Sequence, residues 1–147
     1  IEYGQTRPKD VPLPAGCRKL AFVHIGYGDQ RDAEVYGRQG AVIAPQRIPQ
    51  TLRELAAFGA DGFQAYSEGV FDDANKTLLA GIGAGRFRDA DETLRAYAQR
   101  YFGASAQQAA DWAKWLAAWG NRRQVPLPAA ADELVRLTGA GTPGWRA

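Results

Sequence analysis

Two short apolar runs and a series of amphipathic segments divide the chain into an α/β half and a helical half. The first run, residues 19–25, is nearly continuous and contains β-branched and aromatic side chains, which is typical of a strand buried in a parallel sheet. The second run is residues 62–66, and between the two runs Pro49 opens a helix as a first-turn residue. Leu52, Leu55 and Ala56 are expected to form the apolar stripe of this helix, and Gly59 should end it. Strand, helix and strand in this order predict a parallel pair of strands.

Apolar residues then recur at the helical period through most of the remaining chain. A helix follows Glu68, and the glycines of residues 81–85 are expected to break it. Asp89 and Glu92 predict a capping box for the next helix, which Gly103 should end. Further signals are a second capping box at Ser105 and Gln108, a helix at residues 130–137, and an aromatic set expected to be largely buried: Tyr97, Tyr101, Phe102, Trp112, Trp115 and Trp119.

Two strands alone cannot close a barrel or make a robust parallel sheet. We therefore expect residues 1–88 to be the carboxyl-terminal portion of a (β/α) barrel whose earlier strands are missing. Residues 89–147 are expected to be a helical subdomain. The chain begins at Ile1 and contains no Met, which favours a piece of a larger protein over a processed product.

Composition narrows the classes of partner and cofactor. The 147 residues carry 18 basic and 16 acidic side chains, well interspersed, so no nucleic-acid partner is expected. No apolar run approaches the ~20 residues of a membrane span, so no membrane partner is expected. Cys17 and His24 are each the single residue of their type, which argues against a disulfide framework and the usual metal sites. No metal and no cofactor are predicted.

The junction between the second strand and the following helix is the main candidate site. Reacting groups in α/β enzymes lie where strands end, because the backbone is rigid there and the side chains face a cleft. Glu68 follows that strand directly and could act as an acid, a base or a nucleophile, or could bind substrate hydroxyls. The alternative is that Glu68, Asp72 and Asp73 only complement the dipole of the helix. Tyr66 before the junction and Asn75 and Lys76 after it add hydrogen-bonding capacity.

Residues 65–69 also resemble a relaxed nucleophile elbow with Ser67 at its centre. That fold places its histidine after the serine, whereas His24 precedes Ser67, so chain order argues against a serine hydrolase. A buried, hydrogen-bonded structural role is the alternative for His24. If the strand directs it to the same cleft as Glu68, it could bind substrate.

The chain from Leu52 to Trp119 resembles the end of the catalytic barrel and the following helices in bacterial glycoside hydrolase-like proteins. These proteins are distantly similar to the α-glucuronidases of glycoside hydrolase family 67. The resemblance is carried by Phe58-Gly59, Gly62, Tyr66-Ser67-Glu68-Gly69, Asn75, Leu78, Asp89, Asp91, Leu94, Tyr97 and the segment Tyr101-Phe102-Gly103-Ala104-Ser105-Ala106.

The resemblance implies a segment of a glycoside hydrolase with Glu68 as the catalytic candidate at a sugar-binding mouth. The partner would be a carbohydrate, and the rest of the parent polypeptide or another chain would complete the barrel. The residues predicted to bind substrate are His24, Tyr27, Tyr66, Asp72, Asp73, Asn75 and Lys76. Tyr66 would pack under a sugar ring or hydrogen-bond to it, and Asn75 and Lys76 would hold the Glu68 loop in place or bind substrate. The alternative function is a non-catalytic carbohydrate-binding or structural module.

Overall fold

The computed structural model of the chain describes residues 13–25, 43–67, 72–119 and 126–139. Within these ranges the protein is mixed α/β and mostly helical, with five α-helices, a π-helical turn and a two-stranded sheet. In chain order the elements are β1 (Leu20–Ile25), α1 (Arg47–Ala57), β2 (Gly62–Ser67), α2 (Asp73–Gly83), α3 (Ala90–Tyr97), the π-helical turn Ala98–Phe102, α4 (Gln108–Ala118) and α5 (Leu127–Thr138).

The strands β1 and β2 pair in parallel, which confirms the predicted arrangement. The register runs from Leu20 opposite Gly62 to Ile25 opposite Ser67, and α1 lies in the connection between the strands. Because the strands are parallel and in this register, Ile25 and Ser67 end at the same edge of the sheet. We call this edge the carboxyl edge.

The two faces of the sheet differ in their environment. Val23 and Ile25 belong to the hydrophobic core. On the other face Gln64 is exposed opposite Phe22, and the residues Leu20, Phe22 and Tyr66 are 68%, 49% and 45% exposed. We call the surface formed by these three residues the open face. Parallel sheets are normally covered on both faces, so an exposed face of this composition is unusual.

Helix α1 leads into β2. Pro49 lies in its first turn, and Gly59 follows its end with φ +76°, as predicted. The predicted apolar stripe is only partly right, because Ala56 is exposed whereas Ile48 is buried together with Leu55. The helix begins at Arg47, two residues before Pro49. Ile48 therefore belongs to the helix and lies on its buried face.

Helix α2 ends within the segment that was expected to break it. It continues through Gly83, and the chain turns at Gly85 with φ +68°. The break predicted in residues 81–85 is therefore confirmed, with Gly81 and Gly83 still helical. Glycine is needed there for packing, because a Cβ at Gly83 would lie 2.7 Å from the ring of Phe63, and one at Gly81 would lie 2.5 Å from the ring of Phe87.

The capping boxes predicted for α3 and α4 form to different extents. Asp89 Oδ1 accepts from Glu92 N at 2.8 Å, but the Glu92 carboxylate accepts from Arg88 N, so only half of the first box forms. The second box is complete, with Ser105 N donating to Gln108 Oε1 at 2.9 Å and Gln108 N donating to Ser105 Oγ at 3.3 Å.

The aromatic residues of the helical half contact one another as expected. Phe102 stacks on Trp112 with ring centroids 4.1 Å apart, and Trp112 meets Trp115 edge to face. Trp112 is buried, whereas Tyr101 is 37% exposed, so the expectation of burial is wrong for Tyr101. The π-helical turn is the physical reason, since its wider turn moves Tyr101 away from the 3.6-residue phase of α3.

One hydrophobic cluster of the described residues extends from the sheet to α4, and includes both Val23 and Leu116. A smaller cluster joins Ala98 and Trp112 to Leu137 of α5. The core is therefore continuous across residue 88. The division into residues 1–88 and 89–147 stays a prediction.

Candidate functional site

The predicted site residues fall into two groups. Glu68 and Tyr27 lie outside the described residues. His24 lies in β1 opposite Tyr66, and its side chain is also outside what the structure describes. The others are described and lie at the carboxyl edge or in the first turn of α2: Tyr66, Asp72, Asp73, Asn75 and Lys76.

Asp72 and Ser67 form a hydrogen bond across the connection between β2 and α2. The Ser67 hydroxyl donates to Asp72 Oδ2, and Asp72 is only 5% exposed. Asp72 occupies the cap position of α2, yet its side chain makes no capping hydrogen bond to the helix backbone. Its carboxylate therefore joins the last residue of β2 to the beginning of α2. The short connection that contains Glu68 lies between these two residues.

Asn75 makes an equivalent contact with the other connection. Its Oδ1 accepts from the backbone N–H of Ala44 at 2.9 Å, and the residue is 3% exposed. A backbone N–H withdrawn from water needs such an acceptor. Asn75 thus joins the end of the connection from β1 to α1 onto the first turn of α2. Its Oδ1 faces the protein backbone.

Tyr66 remains accessible. Its ring lies near parallel to that of Phe22, with centroids 6.2 Å apart and planes inclined by 24°. Both rings belong to the open face, with Tyr66 next to the carboxyl edge and Phe22 in the middle of β1. Phe22 was not among the residues predicted for the site, because a phenylalanine in an apolar strand carries no signal that separates an exposed ring from a core ring.

Asp73 and Lys76 lie on the outer side of α2. The Lys76 ammonium is 3.9 Å from Asp73 Oδ1, and both side chains are largely exposed. A surface pair of this kind contributes about 0–1 kcal/mol to stability. Asp73 is in the first turn, where its charge complements the helix dipole, which agrees with the structural alternative for this residue.

Ion pairs of the helical half shift the pKa values of their members. A backbone hydrogen bond from Arg88 lowers the pKa of Glu92, and the Arg88 side chain acts in the same direction. The hydrogen bond to Arg136 lowers the pKa of Glu133 and raises that of Arg136, which also contacts Asp111 at 3.0 Å. These pairs stabilise α3 and join α4 to α5, so they explain structure and not chemistry.

Among the described residues, no group of three or more His, Cys, Asp or Glu side chains could hold a metal ion. None of the helices in the described ranges is both long enough and apolar enough to cross a membrane.

Sequence reasoning missed the two hydrogen bonds that organise this edge. The separation of Ser67 from Asp72 across a strand–helix junction could have indicated the first contact. No pattern in the sequence indicates the contact of Asn75 with Ala44. Its donor is a backbone N–H, and which backbone N–H lies near Asn75 Oδ1 depends on the fold. No protein-family model, curated protein or solved structure matches the chain. The roles of these residues are therefore argued from their geometry.

Proposed function

We propose that this chain forms the last strands of a (β/α)8 barrel and the following helical subdomain of a glycoside hydrolase, with Glu68 acting on a carbohydrate at the carboxyl edge. The observation that carries the proposal is the asymmetry of the sheet, which is covered on one face and apolar but exposed at Leu20, Phe22 and Tyr66 on the other. In a (β/α)8 barrel, helices cover the outer face and side chains of the other strands fill the interior. The rest of the parent polypeptide, or another chain, would supply those strands.

The carboxyl edge is where a barrel enzyme binds its substrate. Tyr66 is exposed at this edge, where it would pack under a sugar ring. Glu68 lies two residues after Tyr66 in the sequence. Glycoside hydrolysis needs two carboxyl groups about 5–10 Å apart. Since Asp72 is buried and accepts from Ser67, we expect the second carboxyl group to come from a strand outside this chain.

A second candidate function is a non-catalytic carbohydrate-binding or structural module. The observation in its favour is that Asp72 and Asn75 direct side-chain oxygens to partners within the protein. In this alternative the acidic residues only organise the beginning of α2, and Tyr66 with Phe22 would provide the contact surface for a sugar.

Turnover of a panel of aryl glycosides separates these functions. We expect the intact parent protein to hydrolyse at least one of them and the isolated chain to hydrolyse none, because two strands do not make a barrel. We expect Glu68→Gln in the parent to lower turnover at least ~10²-fold without lowering the melting temperature. Turnover by the isolated chain would contradict the barrel. A parent that binds oligosaccharides in calorimetry but hydrolyses none would favour the module.

A further inference from the structure

The beginning of α2 is hydrogen-bonded to two other segments. The hydroxyl of Ser67, the last residue of β2, donates to Asp72. The N–H of Ala44, which precedes α1, donates to Asn75 Oδ1. The beginning of α2 therefore holds both the end of β2 and the segment before α1.

The segment of residues 43–44 is attached on several sides. Ile43 is buried, and its N–H donates to the carbonyl oxygen of Trp119 at 3.3 Å, at the end of α4. The carbonyl oxygen of Ala44 accepts from Ile48 N at 3.1 Å in α1. Asn75 supplies the side-chain contact in this set, so a substitution at residue 75 removes that contact without changing the sequence of the segment.

We propose that Asn75 is a positioning residue of the carboxyl edge, which holds the Ala44 amide and thereby sets the geometry of the site. This inference rests on the proposed function, and it assigns Asn75 a role through Ala44 and not through contact with substrate. A site needs its groups held to within about 0.5 Å for efficient chemistry, and a buried side-chain hydrogen bond from a helix supplies that rigidity. The 3% exposure of Asn75 fits this role.

The test compares three variants of the intact parent protein. Asn75→Ala removes the acceptor and leaves a good helix former. Asn75→Asp keeps Oδ1 as an acceptor but buries a charge, so its stability is expected to fall while the contact with Ala44 is kept. Thr77→Ala is the matched control, because Thr77 lies on the same helix but its hydroxyl donates to Asp73 O within α2. Hydrogen–deuterium exchange resolved to the Ala44 amide reports the contact, and turnover of aryl glycosides reports the site.

We expect Asn75→Ala to accelerate exchange at the Ala44 amide by about tenfold, and Asn75→Asp and Thr77→Ala to leave it near the original rate. Turnover per folded molecule should fall with Asn75→Ala and recover with Asn75→Asp. Unchanged exchange in Asn75→Ala would overturn the contact. Faster exchange with unchanged turnover would overturn the positioning role. If the parent shows no turnover at all, the proposed function fails, and the exchange result still decides whether Asn75 holds Ala44.

Discussion

The contribution of the hydrogen bond between Ser67 and Asp72 can be predicted from its geometry. Asp72 is 5% exposed, so Asp72→Ala removes a buried acceptor and leaves the Ser67 hydroxyl without this partner. A hydrogen bond to a charged group contributes about 1.5–3 kcal/mol, and a carboxylate at a helix N-terminus contributes about 0.3–1 kcal/mol. We therefore expect Asp72→Ala to lower the free energy of unfolding by about 2–4 kcal/mol.

The neighbouring residue provides the control. Asp73 also lies at the start of α2, but its side chain is 59% exposed and its ion pair with Lys76 is on the surface. Asp73→Ala should lower the free energy of unfolding by no more than about 1 kcal/mol. Asp72→Asn keeps an oxygen that can accept from Ser67, so its cost should be smaller than that of Asp72→Ala.

Urea unfolding followed by far-ultraviolet circular dichroism measures these values, and a double-mutant cycle with Ser67→Ala isolates the contact. We expect a coupling energy of about 1.5–3 kcal/mol between residues 67 and 72. A coupling energy under about 0.5 kcal/mol would refute the reasoning, because the two side chains would then act independently. Equal costs for Asp72→Ala and Asp73→Ala would show that only the helix dipole matters.

Three further changes test other parts of the molecule. Trp112→Ala should cost about 3–5 kcal/mol in urea unfolding, against about 0.5 kcal/mol or less for Val135→Ala at an exposed position, and equal costs would refute the packing of the aromatic residues. Gly83→Ala should lower the thermal midpoint, because its Cβ would lie 2.7 Å from Phe63, and an unchanged midpoint would mean that the ring moves freely. Glu68→Gln in the parent should reduce turnover at least ~10²-fold, and full activity with a lowered midpoint would leave Glu68 a helix-dipole residue.

The sequence alone was sufficient for the two strands, for the α-helices and for their order, but not for the π-helical turn Ala98–Phe102. The apolar runs of residues 19–25 and 62–66, with a helix between them, predicted two parallel strands, and the structure confirms this pairing. The expected burial is right for Val23 and Ile25 and wrong for Leu20, Phe22 and Tyr66, which are exposed. Gly59 and Gly103 predicted helix ends for a local reason, since their positive φ values suit glycine. The second capping box, at Ser105, likewise depends only on residues three apart.

Only the tertiary structure decided which polar side chains organise the carboxyl edge. Asp72 and Asn75 read as charge and hydrogen-bonding capacity in the sequence, but their partners Ser67 and Ala44 are set by how β2, α1 and α2 pack. The exposure of Phe22 was also decided by the tertiary structure, because the composition of a strand does not determine which of its faces the helices cover. Hydrogen bonds between distant segments and the choice of a covered face depend on three-dimensional neighbours, which a linear pattern does not encode.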